Sequence, residues 1–140
     1  MDSNTHIDRI MAAINSPRQF GYENGITLTE LRRDYAAGEL VFGPNSINPH
    51  GNIHGGAIAT LADVVAGCCA CSRGSSCVTA NCSMEYLRPA NTPKLFCEAT
   101  PKKMGRTLAV IQFTVTNDKN VVVATGTYTF FLFDREKQGD

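Results

Sequence analysis

The chain has no excess of charge of either sign, because its 13 Lys and Arg are cancelled by 13 Asp and Glu over 140 residues. Such a balance removes the long-range attraction to nucleic acid or an anionic membrane, and points to a small, mostly neutral ligand. No apolar run reaches the roughly 18 to 20 residues of a membrane span, and the opening MDSNTHIDRI is too polar for a signal peptide. A cytosolic protein with no nucleic-acid or membrane partner is expected. The sequence also lacks a G-x-S-x-G elbow, a G-x-x-x-x-G-K loop and a dinucleotide fingerprint. Serine-elbow hydrolysis, P-loop phosphate binding and Rossmann cofactor chemistry are therefore excluded.

What is present suits a single domain over residues 1–140, with no internal repeat or linker. A chain of this length buries about two-thirds of its unfolded surface and needs no staple. The six cysteines, Cys68, Cys69, Cys71, Cys77, Cys82 and Cys97, are accordingly expected as reduced, buried thiols rather than a disulfide framework. Cys68 and Cys71 form a C-x-x-C, but no second pair completes a zinc site. His50 and His54 could be a metal pair, yet Pro49 and Gly51 break the helix that an i, i+4 arrangement needs. No metal is expected.

Ile7, Ile10, Met11 and Ile14 recur at helical spacing, so residues 5–14 predict a short amphipathic helix, with residues 1–20 forming an N-terminal helix and loop. Residues 25–42 read as two strands turning at Ala36-Ala37-Gly38, and GPNSINPHGN as a loop. A helix should start near His54 to Gly56 and end at Gly74, with Arg73 in its last turn. Residues 57–71 are nearly apolar on every side, the pattern of a helix buried all round. Four strand-like runs follow in hairpin succession: CVTANCSMEYL, KLFCEATPKKM, TLAVIQFTVT and VVVATGTYTFFLF. Together they predict an α+β fold in which an antiparallel sheet encloses the helix on its concave face. Residues 134–140 form a polar tail.

One acid, Asp63, interrupts the apolar helix. An ionised carboxylate there is costly unless paired, and either a structural hydrogen bond or a catalytic role would compensate. At the helix start, His54-Gly55-Gly56 leaves backbone N–H groups unpaired and open to a ligand, a setting that attracts a developing oxyanion. Gly55 and Asp63 are eight positions apart, roughly 12 Å along a helix axis, too far for one carbonyl to touch both. If they serve one site, the donor must come from one subunit and the carboxylate from another across a two-fold axis.

The stretch from Asn48 through His54-Gly55-Gly56 to Asp63 resembles the signature of the hotdog-fold acyl-CoA thioesterases of the PaaI-like, phenylacetate-pathway type. The resemblance continues through Val78-Thr79, Tyr86-Leu87-Arg88-Pro89 and Gly105-Arg106-Thr107, and spans roughly residues 40 to 133. It implies a hotdog fold, a long helix wrapped by a curved antiparallel sheet of about six strands. It also implies hydrolysis of an acyl-CoA thioester, with Asp63 as nucleophile or general base and the Gly55 N–H as oxyanion donor. Asn48 and His54 would line the same end of the site as Gly55 and Gly56, and the Thr79 hydroxyl would help hold the attacking water. Arg88 and Arg106 are candidates for the CoA phosphates. CoA is part of the substrate, so no cofactor is implied. The resemblance further implies a homodimer or dimer of dimers.

The same architecture also carries enoyl-thioester hydratases and non-catalytic acyl-CoA binding modules. The first would need a histidine base such as His54, beside the oxyanion donor. The second would need an attached partner domain.

Overall fold

The computed structural model describes residues 3–134, so most of the expected polar tail lies outside the described residues. Helix α1 (Ser3–Ile14) leads through a short α2 (Phe20–Glu23) to strands β1 (Ile26–Arg32) and β2 (Tyr35–Val41). Helix α3 (Gly55–Ala70) follows, then β3 (Ser76–Tyr86), β4 (Lys94–Met104), β5 (Leu108–Asn117) and β6 (Val122–Phe133). The six strands form one open antiparallel sheet in the order β1-β2-β4-β5-β6-β3. This is the hotdog arrangement that the sequence implies.

Alternation decides which side of the sheet holds α3. In β5, Ala109, Ile111, Phe113 and Val115 are buried while Leu108, Gln112 and Thr114 are exposed, the pattern of a sheet with one wet face. The buried set meets Leu61, Ala62, Val65 and Ala66 of α3 in one core. Gly38 of β2 lets the helix come close: a Cβ there would lie 2.7 Å from Val65 Cγ2 and 2.9 Å from the Thr27 carbonyl. Ile7, Ile10, Met11 and Ile14 of α1 pack against the same core, as their spacing requires.

Four expectations need correction. The β1–β2 turn falls at Arg33 and Asp34, with Asp34 at φ 64°, whereas Ala36-Ala37-Gly38 lies inside β2. Gly38 is there for close packing, not for turning. Helix α3 ends at Ala70, with Cys71 as its C-cap. Gly74 does take a left-handed φ of 117°, but only after a further turn, so Arg73 is outside the helix and clamps Asp34 with two 2.8 Å hydrogen bonds. Strands β3 and β4 do not form a hairpin. The chain leaves β3 through a segment with Pro89 and Pro93, and β3 pairs with β6 at the sheet edge. Finally, the thiols are all free but not all buried: Cys82 is exposed, and Cys71 and Cys77 are half-buried.

That edge position leaves β3 open to solvent along its length, with Val78 to Ser83, Glu85 and Tyr86 all exposed. Among the described residues, no helix is long and apolar enough to cross a membrane.

Candidate active site

The start of α3 is fixed by its own cap. His54 has extended backbone (φ −60°, ψ 136°), and its Nδ1 accepts the Gly56 N–H at 2.8 Å. Its carbonyl takes the N–H groups of Ala57 and Ile58 at 2.9 and 3.2 Å. Of the first-turn donors, the Gly55 N–H has no acceptor among the described residues. The cap therefore leaves one first-turn donor unpaired. Gly56, expected beside it as a ligand contact, spends its N–H on His54 instead.

The loop before the helix is held by Asn48. Its Oδ1 accepts from the N–H groups of His50 and Asn52 at 2.9 and 3.1 Å, and His54 N–H donates to the Ser46 carbonyl at 2.6 Å. The Asn48 oxygen is thus engaged in shaping the loop that delivers His54. Among the described residues no group of three or more metal-ligating side chains comes together.

Tyr86 has no assigned role in the Tyr86-Leu87-Arg88-Pro89 motif, but it belongs to this end of the helix. Its hydroxyl donates to the Gly55 carbonyl at 3.1 Å, and its ring lies 3.5 Å from where a Gly55 Cβ would stand. Tyr128, which the sequence did not single out, donates to the Ala59 carbonyl one turn on, at 2.8 Å. Burial, and after it the nearby Asp63 carboxylate, push the Tyr128 phenol up, keeping it a donor.

Asp63 sits two turns beyond Gly55 and is half-buried rather than enclosed. Ile58, Leu61, Ala62, Val65 and Ala66 are buried, but Gly56, Thr60 and Asp63 form a stripe at i, i+4, i+7 that faces outward beside β3. The expectation of a helix buried all round fails on this stripe. Here Thr79 Oγ1 donates to Asp63 Oδ1 at 2.7 Å.

A bulge explains how Thr79 reaches the helix. The β3–β6 register shifts between Thr79 and Asn81, with Thr79 opposite Phe130 and Cys82 opposite Tyr128. One extra residue, Ala80, flips the alternation. Thr79, Cys82, Met84 and Tyr86 then share the face toward α3, although 79 and 86 differ by an odd number and a regular strand would separate them.

The site residues thus fall into two groups on one chain: His54, Gly55 and Gly56 with Tyr86, and Asp63 with Thr79. They are not joined by hydrogen bonds to each other. The two arginines are farther apart still. Tyr86, two residues before Arg88, is opposite Ala124, while Leu108, two residues after Arg106, is opposite Phe131. Those positions are seven residues apart along β6, or roughly 23 Å. Arg88 Nη1 donates to the Val122 carbonyl at 2.6 Å and so ties down the start of β6, while Arg106 is exposed in the β4–β5 turn.

Residues 50–124, just over half of the chain, match the family model of the Thioesterase superfamily. A Streptococcus mutans protein solved "bound to acetyl CoA" is 29% identical, with a TM-score of 0.74, covering 78% of this chain and 89% of its own. A "Hypothetical Thioesterase Protein with Coenzyme A" from Streptococcus pneumoniae is 27% identical, with a TM-score of 0.74, covering 78% of this chain and 86% of its own. The pneumococcal protein has also been solved with an aspartate and, separately, a threonine replaced by alanine, the two being sixteen positions apart. The PaaI protein of Escherichia coli, from the phenylacetic acid degradation operon, shares the fold at 20% identity, with a TM-score of 0.85, covering 94% of this chain and 96% of its own. The chain belongs to the Thioesterase superfamily. It is a hotdog-fold thioester hydrolase.

Proposed function

We propose that the protein hydrolyses acyl-CoA thioesters to the free acid and CoA, at a site shared between two copies of the chain. The observation that carries this reading is the Thr79 to Asp63 hydrogen bond. It holds one carboxylate oxygen and leaves the other free, while the Thr79 oxygen keeps lone pairs that can accept from a water. Asp63 then acts as general base: it takes the proton as the water oxygen attacks the thioester carbonyl carbon. The carbonyl oxygen becomes an oxyanion that the Gly55 N–H stabilises, and collapse of the intermediate breaks the C–S bond. The thiolate departs with the bonding pair and takes the proton from Asp63. A thiolate leaves readily, so the chemistry needs neither a metal nor a cofactor, CoA being part of the substrate.

The neighbours support both the chemistry and the substrate. In the pneumococcal protein the replaced aspartate and threonine are as far apart in sequence as Asp63 and Thr79 are here, sixteen positions. The two streptococcal structures hold acetyl-CoA and CoA. His54 weighs against an enoyl hydratase, because its Nδ1 is occupied as the helix cap.

Distance and the open edge support a composite site. Eight residues of helix put Gly55 and Asp63 about 12 Å apart. Antiparallel pairing of two β3 edges about a two-fold axis would bring the partner's Gly55 and the partner's Tyr86 toward Asp63 and Thr79, giving two identical sites per homodimer. It would also bring the partner's Arg88 toward the end of the sheet that carries Arg106. A dimer of dimers would repeat this unit. A cytosolic setting, in which thiols stay reduced, belongs to the same reading.

The deciding experiment follows thioester absorbance over a panel of acyl-CoA substrates, for wild type and Asp63→Ala. Turnover should fall at least about a hundredfold in the variant, the scale of losing a general base, with dimerisation intact. Undiminished hydrolysis in Asp63→Ala would overturn the assignment.

A further inference from the structure

The C-x-x-C of the sequence does not bring its own two thiols together; a different pair meets. Cys71, the C-cap of α3, and Cys77, the second residue of β3, approach to 3.2 Å between Sγ atoms. Cys77 also donates to the Gly67 carbonyl at 3.5 Å, so its side chain is aimed at the helix end. A disulfide has an S–S length of about 2.05 Å, and the two sulfurs need to close only about one ångström to reach it.

We infer that Cys71 and Cys77 form a reversible disulfide under peroxide, making the turn between α3 and β3 a thiol switch on the Asp63–Thr79 pair. The turn joins the element that carries Asp63 to the element that carries Thr79, and Cys77 is two residues from Thr79. Closing the sulfurs draws the start of β3 toward the helix end and disturbs the 2.7 Å hydrogen bond.

The other thiols are poor competitors. Burial pushes Cys68 and Cys69 up to about 12 and pushes Cys97 up as well, so none of them is a ready thiolate. Cys82 is exposed but has no thiol in hydrogen-bond contact among the described residues. Within the pair, the hydrogen bond with Cys71 and then burial push the Cys77 thiol up, which suits the resolving role. Cys71, in the turn and off the strand edge, attacks the peroxide oxygen to give a sulfenic acid and water. Cys77 sulfur then attacks the Cys71 sulfur, and the hydroxyl leaves as a second water with the Cys77 proton. Two thiols and one peroxide become one disulfide and two waters, and a dithiol reductant reverses the change.

The effect on turnover rests on the function proposed above, whereas the bond itself does not. The full chain is treated with hydrogen peroxide, alkylated and cut with trypsin. Cleavage after Arg73 falls between the two cysteines, so a disulfide appears as a cross-linked pair of peptides in mass spectrometry. The link should form in wild type, vanish with dithiothreitol, and be absent from Cys71→Ser and Cys77→Ser. Acyl-CoA turnover should fall about tenfold on oxidation, within the range that an ångström of misplacement costs, and recover on reduction. The two serine variants should keep their turnover under peroxide. Absence of the link in wild type, its persistence in Cys71→Ser, or oxidation confined to Cys82 would overturn the inference. A link with unchanged turnover would overturn the switch and leave the hydrolase standing. A protein that forms the link under peroxide yet hydrolyses no acyl-CoA when reduced would overturn the proposed function and the switch with it, and leave only the bond.

Discussion

Thr79 donates a 2.7 Å hydrogen bond to Asp63 across the gap between β3 and α3, and the bulge at Ala80 is what turns the threonine toward the helix. If the hydroxyl orients the carboxylate and its water, its removal should slow the chemical step and leave substrate binding nearly unchanged. Thr79→Val, which keeps the shape, should lower kcat by about ten- to a hundredfold, the worth of a hydrogen bond to a charged group. Thr79→Ser should recover most of it. Steady-state kinetics that moved KM instead of kcat would contradict this role.

The Gly55 N–H can be deleted without removing the helix. Position 55 is the first residue of α3, where proline is well tolerated, and His54 before it already has the extended backbone that a following proline requires. Gly55→Pro should stay folded and lose about a hundred- to a thousandfold in turnover. Mixed with inactive Asp63→Ala under subunit exchange, it should restore about a quarter of wild-type activity, since half of the random dimers contain one intact site. No recovery after demonstrated exchange would rule out a site shared between subunits.

Arg88 and Arg106 should separate cleanly. Arg106→Ala should raise KM for an acyl-CoA by about two- to fivefold, the worth of an exposed ion pair, and leave KM for the matching acyl-pantetheine, which has no phosphates, unchanged. Arg88→Ala should instead lower the unfolding midpoint, because its guanidinium holds the Val122 carbonyl.

The Asp34–Arg73 clamp gives stability a pH dependence. The hydrogen bond from Arg73 holds the Asp34 carboxyl below its ordinary value of 3.8, against a smaller opposing effect of burial. A carboxyl lowered in the folded state contributes fully above its unfolded value and loses that contribution as the pH falls through the lowered one. Thermal midpoints of wild type and Arg73→Ala should therefore differ by a constant amount at neutral pH and converge below about pH 4. A difference that grows in acid would contradict the clamp.

Gly38→Ala tests the seating of α3. Its new Cβ would meet Val65 Cγ2 at 2.7 Å and the Thr27 carbonyl at 2.9 Å, so denaturant unfolding should show a loss of about 1–3 kcal/mol, the usual cost of overpacking.

The fold was largely legible in the sequence because alternation survives in the strands: Ala109, Ile111, Phe113 and Val115 are buried together as their spacing requires. What alternation cannot encode is partnership. The runs that became β3 and β4 look like hairpin neighbours, yet their connection passes from the sheet edge to its interior. The candidate site was legible where its geometry is local, in the helix start at His54-Gly55-Gly56 and in the lone acid Asp63. It was obscure where it depends on a bulge or on close approach: Thr79 and Tyr86 share a face only because of one extra residue, and Gly38 reads as a turn until the helix against it is seen. The open stripe of α3 was in view as Gly56, Thr60 and Asp63, but small apolar residues around it made the helix look uniformly buried.

In the proposed dimer, the eight-residue step from Gly55 to Asp63 would act as a ruler. Lengthening α3 by one residue between them would rotate Asp63 by about 100° and shift it by about 1.5 Å along the axis, turning the acid away from Thr79. Adding a full turn would restore the direction but displace the acid by about 5.4 Å relative to the partner's Gly55. A site shared in the proposed way would close this architecture to changes of helix length, and variation in what it accepts would come from the loops and side chains around a fixed rod.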